Sequence, residues 1–233
     1  TSEQTQPTPL TEEPTPMLSD LQARTMLSLQ SAMNAKVDPN WVAARYPYMR
    51  AVVTEAAEAI EHHGWKWWKK QEKDLPQLQM ELIDIWHFLL SEILLSEEGS
   101  ETAALLKLTE QLESIPGSQQ VDFDGKQYNL NSIELLDQLE LLIALSAARK
   151  IELSVFAAIM SNCEMDWTEL YCQYVGKNVL NFFRQDHGYQ DGSYQKIWNG
   201  REDNAYLVEA MAELDPGDAK YKDKLYRALS NHY

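Results

Sequence analysis

Two carboxylate pairs stand out: Glu55 with Glu58, and Glu81 with Asp84. Each is spaced i, i+3, so on an α-helix each lies on one face, one turn apart. The residues around them are largely apolar, and acids are seldom buried unless they are paired or bind a metal. Four carboxylates converging from two neighbouring helices suit hard divalent cations, above all Mg2+ with retained waters, and Mg2+ held this way commonly meets nucleotide phosphates. A single such pair would read as surface acids; two pairs bracketing Trp-Lys-Trp-Trp-Lys at 65–69 do not. A di-iron bundle needs Glu-x-x-His on two helices. Here only Asp84 and His87 approximate one half, and residue 61 is Glu, so that reading fails.

Further candidates surround this quartet. His87 lies one turn past Asp84 and reads as a ligand contact or a group that orients one. Trp65, Trp67 and Trp68 beside Lys66, Lys69 and Lys70 offer flat rings for a base and point charges for phosphate. At least one Trp is expected on a base and the others in the core. Lys177, Asn181 and Arg184 follow i, i+4, i+7 spacing and share a helix face. Tyr189 and Lys196 follow on a segment with Gly188, Gly192 and Gly200, whose glycines permit tight loops. The set suits a polyphosphate clamp. No Walker or Rossmann glycine pattern is present.

The chain has 233 residues, 44% of them hydrophobic, enough for one sizeable core. Twenty basic and 36 acidic residues give a net charge of −16, which argues against a nucleic-acid polymer as partner. Cys163 and Cys172 lack zinc spacing or a disulfide-rich context and read as reduced core residues. No apolar run reaches the ~20 residues of a membrane span, and no secretory leader is visible, so a soluble cytoplasmic protein is expected.

Residues 1–16 are Thr/Pro/Glu-rich and read as a disordered tail. Residues 17–233 read as one all-α catalytic domain. Helices are expected from Ser19 or Asp20, over about 47–63 with a stop at Gly64, over about 76–96, over 132–149 and 150–174, and as a final pair near 203–213 and 217–230. Residues 92–140 hold eleven acids and two basic residues. The 97–128 part reads as a variable, solvated insertion with one helix, and Val121 to Gly125 as a small hairpin or turn.

Gln30 and Asn34, the two carboxylate pairs, the Trp-Lys run, His87 and NFFRQDHGYQDGSYQKIWNGREDN at 181–204 together resemble the dimeric all-α dUTPase family, a branch of the all-α NTP pyrophosphatases that include MazG-like enzymes. The likeness spans about 20–95 and 130–210. It implies hydrolysis of dUTP, and also of dUDP, to dUMP by a homodimer using two or three Mg2+ ions per site. It implies Glu55, Glu58, Glu81 and Asp84 as metal ligands, with Glu55 also activating water. It implies Gln30, Asn34, Trp65 and His87 as the base and sugar pocket, with Asn199 reaching it from the partner subunit. Lys177, Asn181, Arg184, Tyr189 and Lys196 become the phosphate clamp. The alternatives are a dCTP-accepting or broader house-cleaning pyrophosphatase and, outside enzymes, an inert helical interaction protein.

Overall fold

The computed structural model describes residues 17–233; the tail expected over 1–16 lies outside them. The described residues form ten α-helices, α1 (Asp20–Val37), α2 (Trp41–Ala44), α3 (Tyr48–His63), α4 (Leu75–Ser96), α5 (Glu101–Ser114), α6 (Leu135–Ala147), α7 (Leu153–Asn162), α8 (Trp167–Asp186), α9 (Asp203–Glu213) and α10 (Tyr221–Ser230). Two antiparallel hairpins interrupt them, β1 (Gln120–Phe123) with β2 (Lys126–Asn129), and β3 (Ile197–Trp198) with β4 (Arg201–Glu202). The fold is all-α.

Local chemistry sets the helix ends. Ser19 and Gln22 form a reciprocal capping box at the start of α1. The Asp74 side chain caps α4 and Pro76 sits in its first turn, where a missing N–H costs nothing. Gly64, at φ 85°, stops α3 in a conformation that suits glycine.

Helix α4 carries the core. It packs against α1, α3, α5 and α8, and Leu82, Ile85, Trp86, Leu89 and Ile93 are all buried. A helix apolar nearly all round must be enclosed by neighbours. Trp86 stacks on Phe156 at 5.2 Å and meets the edge of Trp167 at 5.5 Å. Offset and edge-on pairs of this kind favour the ring quadrupoles.

Three expectations change. The segment after Glu97 is not a solvated appendage. Ala104, Leu105, Leu108 and Leu112 of α5 are buried, and the helix packs on α1, α4 and α7. Its acids occupy the outer face while a 3–4 spaced apolar stripe faces inward. The single helix expected over 150–174 is two, α7 and α8. Glu164 turns left-handed at φ 57° and the Asp166 side chain caps a fresh start. Because the reversal uses no glycine, the sequence carries no stop signal there. The last helix begins at Tyr221 rather than near 217, since Asp215 and Asp218 side chains accept the backbone N–H groups of Gly217 and Lys220 and hold a turn.

The thiols are free. Cys163 is buried, and burial pushes it up to about 12. Cys172 is only half-buried.

Candidate active site

Helices α1, α3, α4 and α8 enclose a cavity of about 820 Å3. Along α4 one stripe runs Glu81, Asp84, His87, Ser91, each about one turn from the next. On α8 the stripe Tyr174, Lys177, Asn181, Arg184 runs the other way. Lys177 Nζ lies 3.4 Å from Asp84 Oδ2, and the Tyr174 ring lies 4.4 Å from that of His87. Helix α3 adds Glu55 and Glu58, α1 adds Gln30 and Asn34, and the segment after α8 adds Tyr189 and Lys196.

Three of the four acids come together. Glu55, Glu81 and Asp84 each offer an oxygen, all within 4.8 Å of one another. Glu58 lines the same cavity but lies outside this trio and is exposed. Burial pushes the Glu55 carboxyl up, and the Asp84 charge and a hydrogen bond with Glu81 add to it. Glu81 is also raised, first by burial and then by Asp84, against the pull of its bond to Glu55 and of Lys177. Such crowding of like charges is what a divalent cation relieves. The oxygen donors are the kind Mg2+ takes.

Because the native carboxyls titrate above their unfolded value, the folded chain keeps protons that the unfolded chain releases between about pH 4.5 and 8. Native stability from these groups therefore falls as pH rises through that window. Without divalent cations the melting temperature should be lower at pH 8 than at pH 5.5. Added Mg2+ should raise it more at pH 8, where the acids are ionised. Melts in EDTA and in Mg2+ at both values check this; an equal Mg2+ effect at the two would refute it.

His62 joins the trio unannounced, its Nε2 3.2 Å from Glu81 Oε1. The signal was available: residue 62 continues the Glu55 and Glu58 stripe on α3 at i+7 and i+4.

Behind the carboxylates lies a buried polar nest. His87 Nδ1 is 2.8 Å from Gln30 Oε1, and Gln30 Nε2 donates to Asn34 Oδ1 at 3.0 Å. Burial, with help from the Lys177 charge, holds His87 down to about 3, so the ring is neutral. Its Nε2 has no hydrogen-bond partner among the described residues.

Twelve of the fourteen residues named from the sequence line this cavity. Arg184 lines it, but Nε and Nη2 already form a buried two-point pair with Asp203, at 2.8 and 2.9 Å. Asp203 also accepts the Tyr194 hydroxyl at 2.8 Å. Burial alone would raise Asp203; Arg184 and Tyr194 outweigh it and hold the carboxyl low. Only Nη1 of Arg184 remains, 3.5 Å from Asn181 Oδ1.

Two named residues lie elsewhere. Trp65 does not line the cavity; its Nε1 donates to Glu61 at 2.7 Å. Nor are its neighbours in the core: Trp67 is 86% exposed and Trp68 60%, the three rings packing edge-on against each other. All three sit on the eleven-residue connection between α3 and α4, residues 64–74, outside the core. Asn199 and Gly200, both at positive φ, form the two-residue turn joining β3 to β4. The Asn-Gly pair is there as a hairpin signal, and the side chain is exposed.

A family model described as dUTPase matches residues 22–189, well over half of the chain. The chain belongs to the all-α dUTPase family. No individual curated protein matches it. The chain is a hydrolase acting on dUTP, which removes the inert-protein reading. The match reaches through α1, α3, α4 and α8, the helices that enclose the cavity, and ends at Tyr189. Among the described residues no helix is long and apolar enough to cross a membrane.

Proposed function

We propose that this dUTPase is Mg2+-dependent, cleaves dUTP to dUMP and pyrophosphate, and takes dUDP to dUMP and phosphate. The observation that carries the reading is one cavity lined both by a converging carboxylate trio and by a buried polar nest with a neutral, partly unpaired histidine. Glu55, Glu81 and Asp84, with Glu58 at the rim, are the residues that would hold two or three ions. When bound, Mg2+ neutralises the polyphosphate and polarises its phosphorus–oxygen bonds.

The chain's own groups do the rest. Glu55, once ionised, accepts a proton from the attacking water. Lys177, Asn181, Tyr189, Lys196 and Nη1 of Arg184, the one guanidinium nitrogen not held by Asp203, bind phosphate oxygens, with Lys177 giving up its contact to Asp84. Gln30, Asn34 and His87 take the base and sugar edge, and Trp65 closes on the base from the α3–α4 connection. Asn199, outside its own chain's cavity, reaches the site of a second copy in a homodimer.

A nucleotide panel at fixed Mg2+ tests this. Pyrophosphate from dUTP and orthophosphate from dUDP are expected, both abolished by EDTA. Turnover of dUTP that persists in EDTA would remove the metal assignment, and an unchanged rate for dUDP-free and dUDP-containing samples would remove the dUDP claim. A fully active monomer in light scattering would remove the role of Asn199.

A further inference from the structure

Tyr174 is fully buried behind the base-reading nest and does not line the cavity. Its hydroxyl lies 2.8 Å from Gln30 Oε1 and 3.1 Å from the Met26 carbonyl. The phenolic proton is assigned to the shorter contact, Gln30 Oε1, with the Met26 carbonyl as the longer second acceptor. Gln30 Oε1 then receives both Tyr174 and His87 Nδ1–H. The rest follows in sequence: Gln30 Nε2 donates to Asn34, Asn34 Nδ2 to Ser91 Oγ at 3.2 Å, and Ser91 to the His87 carbonyl at 2.9 Å.

The direction of this chain has chemical consequences. Amide side chains have the same outline when turned by 180°. Reversed, the Gln30 amide would donate to Tyr174 and His87 Nδ1, and the ring proton would move to Nε2. In the direction Tyr174 enforces, His87 Nε2 carries a lone pair that no group among the described residues takes up. Uracil offers an N3–H, the donor that such a lone pair takes. Cytosine offers a bare N3 and an amino group, so lone pair would meet lone pair. A site built to pair one pattern leaves polar groups unmatched with the other.

We propose that Tyr174 is a positioning residue that fixes the polarity of the Gln30–His87–Asn34–Ser91 network and thereby the preference for uracil over cytosine. The proposal rests on the reading of Gln30, Asn34 and His87 as the base pocket. The test compares the full chain with Tyr174→Phe and His87→Ala, measuring kcat and KM for dUTP and dCTP together with long-range 1H–15N spectra of the histidines.

The parent should show His87 protonated at Nδ1. Tyr174→Phe should mix the two tautomers and cut the dUTP-to-dCTP ratio of kcat/KM about tenfold, the worth of one hydrogen bond of roughly 1.4 kcal/mol, mainly through KM for dUTP. His87→Ala should also cut the ratio. A parent protonated at Nε2 would overturn the proposal. So would a Tyr174→Phe enzyme that loses both activities equally, which marks a merely structural role. If His87→Ala lowers the ratio and Tyr174→Phe does not, Tyr174 falls and the base pocket stands. If neither does, the pocket reading itself fails.

Discussion

Glu55→Gln should purify folded, melt higher than the parent in EDTA at pH 8, and release pyrophosphate from dUTP about 1,000-fold more slowly. The two effects share one cause. Glu55 is raised by burial and by the charges of Asp84 and Glu81, so an amide of the same shape removes repulsion from the folded state. On the proposed function, the same change also removes a cation ligand and the group that would take a proton from water. General-base loss alone is worth about 10²- to 10⁴-fold. Steady-state kinetics and a thermal melt settle both halves. Near-parental turnover would shift water activation to Glu81 or Glu58, and a lower melting point would contradict the electrostatic account of the trio.

How much of this was legible follows from range. The i, i+3 acids on α3 and α4 and the i, i+4, i+7 stripe on α8 are local patterns, and helix geometry alone brings each onto one face. Hence most of the named residues line one cavity. What lies across the fold left no trace in the string. The partner of Arg184 is Asp203, 19 positions on, and within Arg201-Glu202-Asp203-Asn204 nothing distinguishes it from its exposed neighbour Glu202. The rule that a buried guanidinium needs an anion would have required some partner without saying which. The Trp run shows the converse error: hydrophobic composition suggested burial, but the three rings lie exposed and pack edge-on against one another.

Asp203→Ala should be the most destabilising single change outside the core, costing about 3–5 kcal/mol, because it leaves the Arg184 charge buried without its counter-ion. Asp203 is wholly buried and the Arg184 side chain nearly so, so solvent cannot take over. The Tyr194 hydroxyl loses its acceptor as well. Urea unfolding of parent, Asp203→Ala and an Arg184→Met/Asp203→Leu double variant measures the effect. The double variant should recover part of the loss, since it removes both charges at once. A single variant within 1 kcal/mol of the parent would mean the pair is solvated in solution.

The shared stripe on α4 constrains how a nucleotide can be admitted. Glu81, Asp84 and His87 ride on one unbroken helix, roughly 9 Å from first to last at 1.5 Å per residue. No hinge separates the end that would grip cations from the end that would read the nucleobase, so that wall opens or shuts as a single rigid edge. Any breathing of the pocket falls to the remaining walls, α3 with its tryptophan-bearing connection and the glycine-punctuated run beyond α8. Splicing one residue between Asp84 and His87 would swing the imidazole about 100° around the helix axis and leave the two halves of the site out of phase.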